Sequence, residues 1–214
     1  PGTGPLDRPL RPLPYALTVA YGPRGEDRVR EVRTGTLYEA HPPADGWRTV
    51  NTNDAVFGQL GDRFAIDGAG ADLWKGTSEF GALYRAGVLK DGVCLVLRVV
   101  GQAATGPWAR AGIVVSDFLA GAHSPAANGC PGFVNLAVTP ANGVVLSYDT
   151  TGDGTLDAYQ RLTGVKAPVL LRLTRSGGSC TGACSTDDGV SWRTVGTAVV
   201  RRAAAAQDAG LFMS

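Results

Sequence analysis

Short stretches of alternating apolar and polar residues recur along most of the chain. YALTVAY at 15–21 repeats every two residues, as expected of a β-strand with one buried face. Glycine, proline, asparagine and aspartate separate such stretches, as turns separate the strands of antiparallel sheets. After residue 46 the pattern predicts strands at 47–50, 54–59, 63–67, 80–85, 93–101, 108–116, 133–139, 143–149, 168–175, 179–185, 191–196 and 208–213.

Helical periodicity is hard to find in this sequence. Only AVVRRAAAAQ at 198–207 could hold a short helix, and its pattern is ambiguous. The 30 glycines and 13 prolines among 214 residues favour a fold with many turns. We therefore predict an all-β chain folded as a two-sheet antiparallel β-sandwich.

Three segments differ in composition. Residues 1–14 are proline-rich and predict a linker, and 15–44 predict a β-hairpin. This hairpin could be an edge of the main domain or the last hairpin of a preceding module. HPPADG at 41–46 is a plausible boundary, so the sandwich is expected over 45–214.

Charge and hydropathy narrow the function classes. The formal net charge is +1, with 20 basic and 19 acidic residues, which gives no basis for nucleic-acid binding. No apolar run reaches the ~18 residues of a membrane helix. The first residues lack the apolar core of a signal peptide, although the chain could be the mature part of an exported protein. Nothing favours an oligomer, so a monomer is expected.

The chain has four cysteines, Cys94, Cys130, Cys180 and Cys184. An even number without a CxxC pair fits two disulfides formed in an oxidising compartment. If 179–185 is a strand, Cys180 and Cys184 lie about 13 Å apart, which is too far for a disulfide. Each would then pair with Cys94 or Cys130, unless a bulge or turn folds that segment. The alternative is four buried free thiols.

The sharpest local motif is an aspartate-rich loop at 149–157, DTTGDGTLD. Alternating oxygen-bearing side chains around a glycine are typical of calcium loops, and the motif lacks the glutamate expected at its twelfth position, where Gln160 stands. The alternative is an Asp/Gly hairpin turn whose side chains cap its own backbone. The predicted calcium ligands are Asp149, Thr151, Asp153, Thr155 and Asp157.

Aromatic residues supply candidate sugar contacts, because apolar faces of sugar rings stack on tryptophan and tyrosine. Trp74 lies in a glycine-rich loop, whereas Trp108 and Trp192 fit strand cores. Tyr148 and Tyr159 bracket the aspartate loop. The predicted carbohydrate-binding set is Asp72, Trp74, Glu79, Tyr148 and Tyr159.

Catalytic motifs are missing from the sequence. GxSxG and HExxH do not occur, and Glu79 is the only glutamate in the strand-rich region. Glycoside hydrolysis usually needs two facing carboxylates. Asp72 and Glu79 could form such a pair in space, but structural roles are expected of them, and no catalytic residue is predicted.

GAGADLW (68–74), EFGALYRAG (79–87) and PWARAGIVV (107–115) together resemble a concanavalin A-like jelly-roll module of the DUF1349 type. Such modules occur in secreted bacterial, especially actinobacterial, polysaccharide-degrading enzymes. The resemblance covers 47–214 and marks Asp72, Trp74, Trp108 and Arg110 as hallmark positions. It implies an accessory role beside a catalytic domain. The segment 15–37 is similar to the final hairpin of Ig-like modules that precede this domain.

From these observations we expect a non-catalytic carbohydrate-binding module of a secreted glycoside-degrading enzyme, carrying a structural calcium site. Its partners would be a polysaccharide or oligosaccharide and a catalytic domain. The first alternative is a calcium-stiffened spacer or adhesion domain without sugar binding. The second is a glycoside hydrolase or lyase on the same scaffold.

Overall fold

The part of the chain that the structure describes is built almost entirely of β-strands. The computed structural model describes residues 12–21, 29–38, 46–60, 63–122, 130–201 and 203–214. The predicted linker at 1–14 lies mostly outside these ranges, and Pro12 already begins a strand. Contacts within the chain divide it into two units, Pro1–Ala44 with Phe57–Ala65, and Asp45–Val56 with Ile66–Ser214.

The first unit contains the predicted hairpin. Strands β1 (Pro12–Tyr21) and β2 (Val29–Tyr38) pair antiparallel in continuous register. A separate two-stranded ribbon consists of β4 (Val56–Leu60) and β5 (Arg63–Asp67), both of which cross the division between the units.

The second unit is a β-sandwich, as predicted. One sheet has seven strands in the order β13-β12-β11-β10-β17-β8-β3. These are β3 (Arg48–Asn51), β8 (Gly81–Lys90), β10 (Ala111–Ser116), β11 (Val134–Thr139), β12 (Gly143–Tyr148), β13 (Ala158–Leu162) and β17 (Ala206–Met213).

The opposing sheet has four strands in the order β16-β15-β14-β9. They are β9 (Cys94–Val99), β14 (Val169–Ser176), β15 (Ser179–Ser185) and β16 (Arg193–Val199). The pairings in both sheets are antiparallel. A ribbon of β6 (Leu73–Trp74) and β7 (Thr77–Ser78) lies in the loop before β8.

The central strands β10, β11 and β12 of the seven-stranded sheet are buried on both faces. On β10, Ile113 and Val115 join the cluster that both sheets share, whereas Val114 joins a second cluster. The second cluster holds Leu73 and Leu156, which come from loops. The face turned away from the four-stranded sheet, here named the outer face, is therefore covered by loops. Double burial explains why the β11 sequence VNLAVT is mostly apolar.

Two local features differ from the pattern that the sequence suggested. No helix forms in the described residues of 198–207, where β16 ends and β17 begins. The strand β13 was not predicted, because its sequence, AYQRL, does not alternate between apolar and polar residues. Within its described residues the chain has no helix long and apolar enough to cross a membrane.

Candidate functional site

Three aromatic side chains meet at one end of the outer face. Tyr159 packs edge-on against Trp74 and also against Trp108, with ring centroids 5.6 Å apart in each pair. Tyr159 is 44% exposed, and both indoles are half-buried. These three residues, here named the aromatic cluster, offer apolar ring surface to solvent at the edge of the sheet.

The elements that carry the cluster explain its position. Tyr159 lies on β13, the last strand in the order of the seven-stranded sheet, and Trp74 ends β6. Trp108 lies in the turn that leads into β10. The sequence predicted Trp74 and Tyr159 as surface contacts and Trp108 as a core residue. In the structure the Trp108 ring is only half-buried.

An ion pair lies beside the aromatic cluster. Arg110 donates a hydrogen bond to Asp72 Oδ1 at 2.9 Å, and its guanidinium carbon lies 6.0 Å from the centroid of the Trp108 ring. The Arg110 side chain is 4% exposed, whereas that of Asp72 is 43% exposed. A buried cation therefore depends on a carboxylate that solvent can reach.

Glu79 and Asp72 hold the loop that carries Trp74. Glu79 accepts a hydrogen bond from the backbone N–H of Ala71, and its own N–H donates to the carbonyl of Asp72 at 3.1 Å. Asp72 Oδ1 also accepts from the N–H of Leu73 at 2.8 Å. Both acids thus have structural partners within the loop.

Tyr148 lies away from the aromatic cluster. It packs against the cluster shared by the two sheets, and its hydroxyl accepts a hydrogen bond from Gln160 Nε2 at 3.3 Å. Its neighbour Ser147 pairs in register with Tyr159, so Tyr148 points to the opposite face of β12. The structure therefore separates Tyr148 from the other predicted sugar contacts.

Two polar side chains that sequence reasoning missed lie inside the outer face. Asn135 and Ser147 oppose each other across β11 and β12, and they are at most 1% exposed. Neither side chain has a hydrogen-bond partner among the described protein atoms, and Arg110 Nε also lacks one. The sequence feature that could have identified them is a polar residue within a mostly apolar strand.

The aspartate loop is a turn held by its own backbone. The fully buried carboxylate of Asp149 accepts hydrogen bonds from the N–H groups of Thr151, Gly152 and Gly154 at 2.7–2.9 Å. Asp157 accepts from both the N–H and the hydroxyl of Thr150. Positive φ angles at Gly152 and Gly154 allow the chain to wrap around Asp149.

In this arrangement the candidate calcium ligands already have hydrogen-bond partners within the loop. The predicted ligands Asp149 and Asp157 are occupied by loop donors, and Asp153 is exposed and accepts from the N–H of Thr155. Backbone and hydroxyl donors around Asp153 lower the pKa of its carboxyl. Across the described residues, no group of three or more His, Cys, Asp or Glu side chains could hold a metal. Calcium binding at this loop stays a prediction of the sequence.

All four cysteines are free thiols in this structure, so the predicted disulfides are absent from it. Cys180 and Cys184 do lie on one strand, as the sequence argument required. Cys94 pairs with Thr174, which pairs with Thr181, so two inter-strand spacings, ~10 Å, separate Cys94 from β15. That exceeds the ~7 Å limit for a disulfide.

Cys130 belongs to the outer-face cluster, whereas Cys180 and Cys184 belong to the cluster between the sheets. Burial raises the pKa of Cys130 to about 12 and that of Cys180 to about 11. Asp117, which directly follows β10, is held by polar contacts. Asp117 Oδ1 accepts from Gln207 Nε2 at 2.8 Å, and Arg175 donates to Gln207 Oε1 at 3.0 Å.

Comparison with known proteins supports the fold alone. No family model matches this chain, and no curated protein matches it. Among solved structures, the chain is similar to a functionally unknown protein from Saccharomyces cerevisiae, with a TM-score of 0.54 and 15% sequence identity. The match covers 78% of this chain and 86% of the yeast protein. At this identity the likeness extends to the β-sandwich and not to a function.

Proposed function

We propose that this domain is a non-catalytic carbohydrate-binding module of the concanavalin A-like, DUF1349 type, which serves a secreted bacterial polysaccharide-degrading enzyme. The observation that carries the proposal is the contact of Tyr159 with both Trp74 and Trp108. Such a cluster at a sheet edge supplies apolar surface for sugar rings, and neighbouring polar groups can orient their hydroxyls.

The ion pair supports a binding role over a hydrolytic one. Asp72 is paired with Arg110, and Glu79 accepts from the N–H of Ala71. A hydrolase of either stereochemistry needs one carboxyl to protonate the leaving group and another to act as base or nucleophile. Two acids that each fix the loop around Trp74 suit the positioning of an aromatic platform.

Affinity gel electrophoresis with soluble polysaccharides tests the proposal. We expect the 214-residue chain to be retarded in gels containing its glycan, and Trp74→Ala to migrate as in a glycan-free gel. Trp192→Ala is the matched control, because Trp192 lies under the Arg172 guanidinium, 4.2 Å from its ring centroid, away from the cluster. Migration unchanged across xylan, glucomannan, mixed-linkage β-glucan and polygalacturonate contradicts the proposal, and release of reducing sugar favours the enzyme alternative.

A further inference from the structure

A strip of polar side chains crosses the outer face beneath the loops. Asn135, Ser147 and Tyr159 lie on three neighbouring strands and oppose one another in register. Side chains in such a row lie about 5 Å apart on one face. The strip therefore leads from the exposed Tyr159 to the buried Ser147 and Asn135.

The buried end of the strip has unmet hydrogen-bonding capacity. Asn135 Nδ2 and Oδ1 and Ser147 Oγ lack partners among the described protein atoms. Buried polar side chains nearly always have a partner, and leaving one without a partner destabilises the folded state. Thr139 and Ser116, two other buried polar residues on this face, do have partners. Thr139 donates to the Gly143 carbonyl at 3.0 Å, and Ser116 to that of Pro131 at 2.9 Å.

Two loops pack on the same face as this end of the strip. Leu73 and Leu156 pack in the same cluster as Val114 and Ala137, which lie next to Asn135 across and along the sheet. A backbone hydrogen bond of 2.9 Å from Lys75 to the Leu156 carbonyl joins the two loops. The Trp74–Tyr159 contact lies on the same side, so the covering loop also carries part of the aromatic cluster.

We propose that Asn135 and Ser147 form an interior subsite for a neutral sugar residue, reached when the loops at 73–78 and 150–156 move apart. The inference rests on the proposed carbohydrate binding. An amide and a hydroxyl each donate and accept, as two adjacent sugar hydroxyls require. Arg110, the buried cation of the same face, already has Asp72 as its counter-ion, so the site favours an uncharged ring over a uronate.

The test pairs binding with stability in the full chain. Asn135→Leu and Ser147→Ala remove the unpartnered groups, and Thr139→Val and Ser116→Ala remove buried groups of the same face that have partners. We expect the first pair to raise the Tm by a few degrees, since no hydrogen bond is lost. The same two variants should bind a neutral polysaccharide about tenfold more weakly or worse, because sugar hydroxyls lose their partners. The control pair should lower the Tm and keep the affinity.

The contrary results distinguish failure of the interior subsite from failure of carbohydrate binding as a whole. If wild type is retarded and Trp74→Ala is not, but Asn135→Leu and Ser147→Ala bind as wild type, carbohydrate binding stands and the interior subsite fails. A lower Tm with unchanged affinity in these variants shows that fixed internal water fills the site, and overturns the subsite. Preferential binding of polygalacturonate overturns its neutral character. If wild type binds none of the four polymers, both proposals fail.

Discussion

Arg110 and Asp72 form an ion pair whose two ends lie in different surroundings. The guanidinium is buried on the outer face, whereas the carboxylate that neutralises it is 43% exposed on the loop before β8. The loop supplies the negative charge that neutralises the buried Arg110. Displacing the loop would therefore destabilise the sheet that carries Arg110. The loop also carries Trp74, so the ion pair helps to hold the aromatic cluster in place.

Asp72→Asn should destabilise the fold by about 1–3 kcal/mol, because it leaves a buried cation without its counter-charge. Asp188→Asn is the matched control, since it makes the same change in the exposed Arg98–Asp188 pair, where less than ~1 kcal/mol is expected. Urea unfolding of the three proteins gives both values. Equal effects of the two changes would show that burial of Arg110 adds nothing to the pair.

Tyr159→Ala should weaken glycan binding at least as much as Trp74→Ala, because Tyr159 contacts both indoles. Tyr159→Phe keeps the ring and should retain most of the affinity, since the contacts are between ring edges and faces. Phe118→Ala, another exposed aromatic residue of the second unit, serves as a control for lost apolar surface. Affinity electrophoresis ranks the variants. If Tyr159→Phe lost as much affinity as Tyr159→Ala, the hydroxyl rather than the ring would be responsible for the binding contribution.

Asp149→Asn should cost about 2–3 kcal/mol of unfolding free energy, because an amide group replaces a buried carboxylate that accepts several N–H donors. Thermal melting measures the loss. Since the loop donors already occupy Asp149 and Asp157, added calcium or chelator should leave the Tm of wild type unchanged. A calcium-dependent rise that Asp149→Asn abolishes would establish the site that the sequence predicts.

The contribution of Asp187, in the turn at 185–191, to the stability of the fold should decrease at acidic pH. Hydrogen bonds from Ser185 and Ser191 lower the pKa of Asp187 from 3.8 to about 2. With an unfolded value of ~3.9, its contribution to stability is complete above that pH and is lost as the pH falls towards 2. The Tm difference between wild type and Asp187→Asn should therefore narrow between about pH 4 and 2. A Tm difference that stays constant across this pH range would contradict the prediction.

Thiol reactivity should distinguish the four cysteines. Near neutral pH a thiol reagent should modify Cys94 rapidly, because Cys94 is exposed. Cys130, Cys180 and Cys184 should react slowly, since burial raises the pKa of each. Cys94→Ser should remove the rapid phase. In denaturant without reductant all four thiols should titrate in wild type, and a smaller number would indicate a disulfide.

The fold could be predicted from the sequence because the pattern that marks each strand lies within the residues of that strand and its adjoining turns. Period-two alternation and glycine-rich turns mark individual strands, and apolar runs such as VNLAVT mark strands buried on both faces. The strand β13 was missed because hydrogen bonds to β12, rather than its own five residues, define it. The long strand β8 likewise continues beyond the predicted residues 80–85 to Lys90, where it pairs with β17.

The candidate site was predicted only in part, because it depends on register. Trp74 and Tyr159 could be chosen as aromatic residues near turns, but nothing in the sequence places both against Trp108. Tyr148 and Tyr159 looked equivalent beside the aspartate loop, yet they point to opposite faces of the sheet. Asn135 and Ser147 become neighbours only through the pairing of β11 with β12.

The alternation along β12 has an evolutionary consequence. Ser147 faces the outer side and Leu146 the interior, so slippage of the pairing by one residue would exchange them. Such a slip would expel a core leucine as it displaced the serine. Selection for a well-folded interior therefore also preserves the geometry of the polar strip, whereas substitutions on the solvent side of the loops leave that register unchanged.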